Sequence, residues 1–278
     1  MLKQRIITAV ILVLAFLAAV LWLPLRAQAL VFGGVAALGA WEWAALSGWH
    51  RPFSRVVYTL LTIACFVTLW IVCQLDATPT REAVQPYIGS ACLFWSATTL
   101  LVERYPASAV LWRSVVVRSL MGWLMMAATW LSVVYLLTLS YGAVLVILLI
   151  LIVAVADIGA YFAGHAWGQH KLAPRVSPGK TWAGLWGGVA CVLLLSFVVI
   201  YFRAAQFDHL APASIVIVAL VCAGASVLGD LTVSMVKREC GVKDSGSLLP
   251  GHGGVLDRID SICGTAPVFA LALMLIGY

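Results

Sequence analysis

The sequence predicts an all-α, polytopic transmembrane helical bundle of about nine spans with a cytoplasmic N-terminus. Three observations predict this class. Hydrophobic residues make up 63% of the 278 and charged residues 10%, whereas charged residues approach a quarter of a soluble domain. The apolar segments are long rather than ten-residue alternating segments, which excludes an outer-membrane barrel. Lys and Arg also concentrate in alternate loops, as the positive-inside rule requires.

Nine apolar segments each approach the length that crosses a bilayer. They are Ile6–Leu23, Leu30–Leu46, Val56–Leu75, Tyr87–Val102, Leu120–Leu139, Ala143–Trp167, Trp182–Phe202, Ile215–Met235 and Ile259–Gly277. The fourth is the shortest. We divide the chain into N-terminal membrane helices over 1–140, about five spans, and C-terminal membrane helices over 141–278 that carry the chemical motifs. Together they form one integral-membrane unit.

The first segment has an alternative interpretation as a cleaved signal peptide. Lys3 and Arg5 precede it, and Ala27-Gln28-Ala29 resembles a cleavage site. Its apolar core is longer than the ~7–15 residues of a signal peptide, so we expect a retained membrane helix.

The fifth and sixth segments must be separated by a turn. No charged residue occurs from Ser119 to Ala156. A helix over that stretch would be ~57 Å long, about twice the ~30 Å thickness of the hydrocarbon core. We therefore expect the chain to reverse at Ser140-Tyr141-Gly142.

The distribution of basic residues predicts the orientation. With nine spans, 14 of the 17 Lys and Arg residues lie on the N-terminal side of the membrane and only Arg26, Arg81 and Arg203 on the other. This bias places the N-terminus in the cytoplasm and the C-terminus outside. It predicts a bacterial-type inner membrane protein whose polar site faces the cytoplasm.

Composition also excludes several kinds of site. The seven cysteines are widely spaced, with no CxxC pair or His/Cys cluster, so neither a disulfide framework nor a zinc site is indicated. The net charge of +6 is not arranged as a basic stripe with aromatic residues, so no nucleic acid partner is expected.

Three carboxylates fall inside predicted spans: Glu42, Asp157 and Asp230. An ionisable side chain in hydrocarbon is unfavourable unless it faces a polar cavity or a partner. All three fall in the cytoplasmic halves of their helices, so we expect one shared polar pocket. The alternative is that each neutralises a loop arginine, or takes a proton and hydrogen-bonds a neighbouring helix.

The eighth helix and the loop after it carry the densest polar pattern. Asp230, Ser234, Lys237 and Arg238 are spaced to share one helical face, which cannot face lipid. The loop over 241–254 is rich in glycine, whose backbone N–H groups approach anions closely, so it suits phosphate.

Two acids begin the last helix. Asp257 and Asp260 lie one turn apart on one face. With Asp230 they would supply hard oxygen ligands, which suit Mg²⁺ bridging substrate phosphates. The alternative is helix capping, since acids favour the first turn.

A second polar loop over 168–181 ends in Ser177-Pro178-Gly179-Lys180-Thr181. It resembles the end of a Walker A loop, but Pro174 stands where that motif needs glycine and no strand is predicted before it, so an NTPase loop is rejected. Cations and a hydroxyl before a helix still suit an anion. The alternative is an ordinary positive-inside loop.

His252 lies among the glycines of the first loop. It is a candidate phosphate donor or acid/base group, and a solvated loop histidine is the equal alternative.

The run from residue 234 to 260 resembles the signature of CDP-diacylglycerol synthase, also called phosphatidate cytidylyltransferase. The matching run is Ser234-x-Val236-Lys237-Arg238-x4-Lys243-Asp244-x-Gly246-x2-Leu249-Pro250-x-His252-Gly253-Gly254-Val255-x-Asp257-Arg258-Ile259-Asp260. Two further segments, over 157–162 and 177–182, are similar to that family. The sequence departs from it at Ile158, where threonine is usual, and at Ala183, where glutamate is common.

The resemblance implies transfer of a cytidylyl group from CTP to phosphatidic acid at the membrane, with a divalent metal. Its implied metal ligands are Asp230 and Asp257 with Asp260 close by, holding Mg²⁺; a second cation stays open. Our catalytic candidates are Asp230, Lys237, Asp257 and Arg258. Our substrate-binding candidates are Ser177, Lys180, Thr181, Ser234, Arg238, Lys243, Asp244, His252, Gly253 and Gly254.

Two rival functions are weighed. An ion-coupled transporter would use Glu42, Asp157 and Asp230 as a cation path, but no inverted repeat is visible and the glycine loop would lack a role. A CDP-alcohol phosphotransferase would need a D-x2-D-G-x2-A-R motif, which is absent. The sequence leaves open whether the protein is a homodimer.

Overall fold

A computed structural model describes residues 2–77, 79–202, 210–249, 251 and 253–278, with the side chains of 2–5 left out. The helices and strands, in chain order, are α1 Leu2–Trp22, α2 Leu25–Ser47, α3 Pro52–Val72, α4 Arg81–Glu103, α5 Ala109–Trp112, α6 Val115–Thr138, α7 Gly142–Trp167, β1 Lys171–Ala173, β2 Ser177–Thr181, α8 Trp182–Phe202, α9 Pro212–Glu239 and α10 Leu256–Leu275. Every predicted apolar segment falls on a separate long helix.

Seven of the described helices are long and apolar enough to cross a bilayer by length and composition: α2, α3, and α6 to α10. The apolar part of α1, Ile6–Trp22, is shorter. The fourth predicted segment lies in α4, which contains Pro86 and buries Ile88 and Trp95 against the bundle. The chain is therefore a helical integral membrane protein, while the count of nine spans and the orientation stay predictions.

The helix boundaries follow from local chemistry. Pro24 precedes α2, and Gly48 ends it with a φ of 102°, a conformation that glycine adopts without strain. The hydroxyls of Thr80 and Ser114 accept backbone N–H bonds at the starts of α4 and α6. The reversal predicted at residues 140–142 is confirmed, with Tyr141 in the left-handed region at a φ of 56°.

The loop predicted over 168–181 contains a short antiparallel hairpin of β1 and β2, in which Lys171 pairs with Thr181 and Ala173 with Ser177. The sequence did not indicate these strands because Pro, Gly and Lys are depleted in sheets. The hairpin runs directly into α8. It is the only sheet among the described residues and leaves the fold class all-α.

Helix α6 occupies the centre of the bundle and contacts α2, α3, α4, α7 and α10. Its side chains are buried on most faces, including Met125, Leu131 and Val134. The N-terminal and C-terminal halves therefore share one core. In contrast, α8 exposes large apolar side chains such as Leu194 and Phe197, as expected for a helix that faces lipid.

Candidate active site

A polar cavity of about 510 Å³ opens where α7, α8, α9 and α10 meet the hairpin and the loop after α9. Its charged lining residues are Asp157, Lys180, Asp230, Lys237, Arg238, Lys243, Asp244, Asp257, Arg258 and Asp260. These residues come from both polar loops and three helices. Asp157 and Asp230 share this pocket, as predicted, and the substrate-binding candidates Lys180 and Lys243 both line it.

Close packing of α9 on α10 brings the acidic residues of the two helices together. A Cβ at Gly229 would lie 3.1 Å from the backbone nitrogen of Gly264, so the helices touch through their backbones there. Asp230 follows Gly229 directly, and Asp260 lies one turn before Gly264. Glycine at this crossing places both carboxylates on the same cavity wall.

Asp230 is held by the hairpin and by its own helix. The Nζ of Lys180 lies 2.7 Å from Oδ2 of Asp230. The hydroxyl of Ser234, one turn later on α9, donates to Oδ1 at 2.9 Å. The predicted polar face of α9 is confirmed, because Asp230, Ser234, Lys237 and Arg238 all line the cavity.

Asp257 has more partners than Asp230 and is more deeply buried. The Nζ of Lys237 donates to Oδ1 at 2.7 Å, and the two side chains are 9% and 8% exposed. The backbone N–H groups of Ser245 and Gly254 donate to Oδ2 at 2.9 and 3.0 Å. Asp257 therefore joins α9, α10 and the intervening loop at one point.

Asp260 is 8% exposed and lines the cavity one turn beyond Asp257. Its Oδ1 accepts the N–H of Ser261 at 2.8 Å. Asp257 accepts N–H groups from the loop before α10, and Asp260 lies beyond the first turn with a partner inside the helix. Helix capping therefore does not account for both acids, and both line the cavity.

The hairpin supplies the opposite wall. Thr181 is buried, and its hydroxyl accepts the N–H of Gly184 at 3.0 Å at the start of α8. The Nε of Arg238 donates to the Val176 carbonyl at 3.1 Å, which ties α9 to the hairpin. Ser177 does not line the cavity and pairs with Ala173 instead.

The expectation that Glu42 shares this pocket is wrong. Glu42 lies outside the cavity lining, is 1% exposed, and accepts three hydrogen bonds from the loop and from the start of α10. This matches the alternative in which the carboxylate hydrogen-bonds a neighbouring helix. The sequence could not distinguish the two, because Glu42 meets Leu256 across 214 residues of chain.

The glycines of the loop lie outside the cavity lining and support residues that line it. Gly253 has a φ of 80°, and its carbonyl accepts the N–H of Leu249 at 2.9 Å. Gly254 donates to Asp257. Neither lines the cavity. His252 lies outside the described residues, so its predicted role stays a prediction.

Ser245 was missed by sequence reasoning. Its N–H donates to Asp257 and its hydroxyl donates to Glu42 at 2.9 Å. Its position between Asp244 and Gly246 could have indicated it. A small polar residue before a glycine is well placed to donate hydrogen bonds to an anionic group.

The cavity suits a polyanion. Each lysine ammonium has three donors, and the structure gives one of them to a carboxylate at Lys180 and at Lys237. The remaining donors, with the exposed Lys243 and Arg258, can bind phosphate oxygens. The two lysine–aspartate pairs use only part of the hydrogen-bonding capacity of these cations, and the rest is available to an anionic ligand.

The same lining fits Mg²⁺. Each oxygen of Asp230 accepts one partner and keeps one lone pair, as does Oδ1 of Asp257. Within the described ranges, no three His, Cys, Asp or Glu side chains are grouped closely enough to hold an ion alone. Mg²⁺ commonly takes one or two carboxylates and completes its shell with water and substrate phosphates, so this donor set fits it.

Comparison with known proteins gives matches over nearly the whole chain and over part of it. A model of the cytidylyltransferase family matches residues 3–276. The phosphatidate cytidylyltransferase of Pseudomonas aeruginosa is 42% identical over 278 residues, covering 100% of this chain and 99% of the relative. That of Haemophilus influenzae is 38% identical over 282 residues, covering 97% and 98%. An uncharacterized Escherichia coli protein, YnbB, is 38% identical over 170 residues, covering 59% and 53%.

Proposed function

The chain belongs to the cytidylyltransferase family, and we propose that it transfers the cytidylyl group of CTP to phosphatidic acid, giving CDP-diacylglycerol and pyrophosphate for phospholipid synthesis. The observation that carries this proposal is the cavity in which two polar loops bring cations and carboxylates together at the end of membrane helices. The full-length similarity supports the same reaction.

The cations divide between binding the nucleotide and stabilising its leaving group. Lys180, Arg238 and Lys243 bind the triphosphate, and Lys237 and Arg258 neutralise charge that develops on the leaving pyrophosphate. Thr181 provides a hydroxyl donor beside them, and Ser234 lines the same cavity while its hydroxyl orients Asp230. Asp244 borders the same opening, while Ser177, Gly253 and Gly254 belong to the loops beside it. His252 lies outside the described residues and stays a substrate-binding candidate.

Mg²⁺ is the proposed cofactor, with one or two of the candidates Asp230, Asp257 and Asp260 as its protein ligands and a second cation left open. When bound, it would polarise phosphoryl oxygens and offset their charge. Asp257 would help to hold the ion, and it also orients Lys237 through its Oδ1.

The transfer is direct. A phosphatidate oxygen attacks the α-phosphorus of CTP, the bond between the α- and β-phosphates breaks, and pyrophosphate leaves with the electron pair. The phosphatidate phosphate is already anionic near neutral pH, so it needs positioning more than a general base. Cys240, the cysteine nearest the motif, does not serve as a protein nucleophile. Its Sγ lies 3.0 Å from both Arg118 and the Leu46 carbonyl and is held by these contacts.

The membrane location and the side that the cavity faces are inferred from the substrates and from the distribution of basic residues. CTP enters from water and the lipid reaches the cavity sideways from the bilayer. The loops that form the cavity carry many of the basic residues that the positive-inside rule assigns to the cytoplasm. We place the protein in a bacterial-type inner membrane with this cavity facing the cytoplasm.

Purified protein in lipid nanodiscs tests the reaction. With CTP, phosphatidic acid and Mg²⁺ we expect equimolar CDP-diacylglycerol and pyrophosphate, and no product when ATP replaces CTP. Absence of product with CTP would refute the proposal. An ion-coupled transporter would instead move cations without consuming CTP, and no described feature of the cavity favours it.

Exchange of labelled pyrophosphate into CTP tests the direct mechanism. In the absence of any lipid acceptor we expect no exchange, because no cytidylyl-enzyme forms. Rapid exchange that disappears in His252→Ala would establish a ping-pong route instead.

A further inference from the structure

The buried carboxylate of Glu42 in α2 meets the loop and the start of α10 with three hydrogen bonds. The N–H of Val255 donates to Oε1 at 3.0 Å. The N–H of Leu256 and the hydroxyl of Ser245 donate to Oε2 at 2.8 and 2.9 Å. A carboxylate that is 1% exposed needs such partners, because burying it without them is strongly unfavourable.

These bonds cap α10 from another helix. Val255 occupies the N-cap position of α10, and its side chain makes no capping bond. The first N–H groups of a helix have no partner within the helix, and a negative charge there is favoured by the helix dipole. Glu42 supplies both the acceptors and the charge.

The loop is shaped around this carboxylate. A Cβ at Gly246 would lie 2.8 Å from Cδ of Glu42, and one at Gly254 would lie 2.7 Å from it. Any larger residue at either position would displace the carboxylate. These glycines therefore have a second role besides allowing the backbone conformation of the loop: they leave room for the Glu42 carboxylate.

Ser245 connects this carboxylate to the cavity. Its hydroxyl donates to Glu42 while its N–H donates to Asp257. Asp257 in turn holds Lys237. A shift of Glu42 would thus move the loop, the first turn of α10 and the Lys237–Asp257 pair together.

We propose that Glu42 is a positioning residue that holds the first turn of α10 and its loop so that Asp257 and Arg258 face the cavity. This proposal rests on the function proposed above. Glu42 touches neither substrate nor the reacting atoms, and acts through Ser245 and the backbone of α10.

Glu42→Gln tests it with little change of shape. The amide NH2 would face a backbone N–H or the Ser245 hydroxyl, so at least one buried donor loses its acceptor. We expect kcat to fall about 10- to 100-fold, since small misplacements of reacting groups have effects of that size. The KM for CTP should change less than about threefold, because the lost interaction is one of alignment in the transition state.

Hydrogen exchange gives a readout that does not depend on catalysis. In Glu42→Gln the amides of Val255 and Leu256 should exchange faster, while those of the α6 core stay protected. Gln28→Leu is the matched control: Gln28 is also buried in α2, and its Nε2 donates to the Val20 carbonyl at 2.8 Å, far from the loop. It should alter neither kcat nor the exchange of these amides.

The outcomes separate the two proposals. If wild-type protein fails to convert CTP and phosphatidic acid, the proposed function falls, and the exchange measurement still decides whether Glu42 holds the loop. In an active enzyme, the positioning role is overturned if Glu42→Gln speeds the exchange but leaves kcat normal. It is also overturned if the exchange is unchanged. If Glu42→Gln does not fold, Ser245→Ala decides: we expect about a fivefold lower kcat with an unchanged unfolding temperature, and a normal kcat refutes the proposal.

Discussion

Two lysine–aspartate pairs set the charge balance of the cavity, and they differ in environment. The Lys180–Asp230 side chains are 24% and 29% exposed, so solvent weakens their attraction. The Lys237–Asp257 pair is 9% and 8% exposed and is supported by backbone donors. Removing one partner of a buried pair typically destabilises by ~3–5 kcal/mol. Substitutions at the second pair should therefore affect stability as well as activity.

Asp230→Asn and Asp257→Asn should each reduce turnover by at least about a hundredfold, which corresponds to ~2.7 kcal/mol. Each change removes a negative oxygen that we assign to Mg²⁺. Steady-state assays on detergent-purified protein measure the turnover. Titrating Mg²⁺ tests whether the variants need a higher Mg²⁺ concentration. Asp76→Asn is the control, because Asp76 pairs with Arg26 outside the cavity. Near-normal turnover in either site variant would remove the metal assignment.

Lys180→Met and Lys243→Met should raise the KM for CTP about tenfold or lower turnover to a similar extent. A triphosphate that loses one cation in a partly enclosed site loses favourable charge interaction. Lys171→Met is the matched control, since Lys171 lies in the same hairpin and does not line the cavity. Equal kinetics in Lys171→Met and the two site variants would contradict the assignment.

Among the described helix pairs, α7 and α8 form the most extensive contact. A Cβ at Gly188 would lie 2.8 Å from the Ala156 carbonyl oxygen, and one at Gly159 would lie 2.7 Å from Sγ of Cys191. Small residues allow membrane helices to approach in this way. Ala156 precedes Asp157, so the contact also sets where that carboxylate meets the cavity.

Gly188→Ala should lower the thermal unfolding midpoint and reduce activity. The added methyl forces α7 away from α8, and overpacking of this kind typically destabilises by ~1–3 kcal/mol. Unfolding in detergent monitored by tryptophan fluorescence measures the shift. At Gly89 in α4 a Cβ meets nothing within 4 Å, so Gly89→Ala should be neutral or stabilise by up to ~1 kcal/mol. An unchanged midpoint in Gly188→Ala would mean that the helices adjust without strain.

At the scale of the whole molecule, α10 connects the two halves of the chain. It packs on α9 and α7 in the C-terminal half and on α2, α4 and α6 in the N-terminal half. The N-terminal end of α10 carries Asp257, Arg258 and Asp260, so the cavity depends on helices far from the motif. The N-terminal helices thus pack against the helix that carries these residues.

The topology predicts opposite labelling of two loops. In a cysteine-free background, Lys243→Cys should react with a membrane-impermeant maleimide only in inside-out vesicles. Arg81→Cys, at the start of α4, should react only from the other side, because nine spans place it outside. Labelling of Lys243→Cys in intact spheroplasts would reverse the proposed orientation of the active site.

The sequence by itself determined the helical membrane class, the positions of the long helices and the polar face of α9. These are local properties: hydropathy, charge and helical spacing are readable within a window of about 20 residues. The turn at Tyr141 was predictable for the same reason, since the bilayer limits helix length.

Only the tertiary structure decided which groups meet. Lys180 pairs with Asp230 across 50 residues of chain, Lys237 with Asp257 across 20, and Glu42 with Ser245 across 203. No local pattern specifies such pairs, because they depend on how closely glycines let neighbouring helices approach and on which loop folds over which helix end. For the same reason Glu42, which by position in its helix resembled a pocket residue, became the cap of α10 once the helices packed.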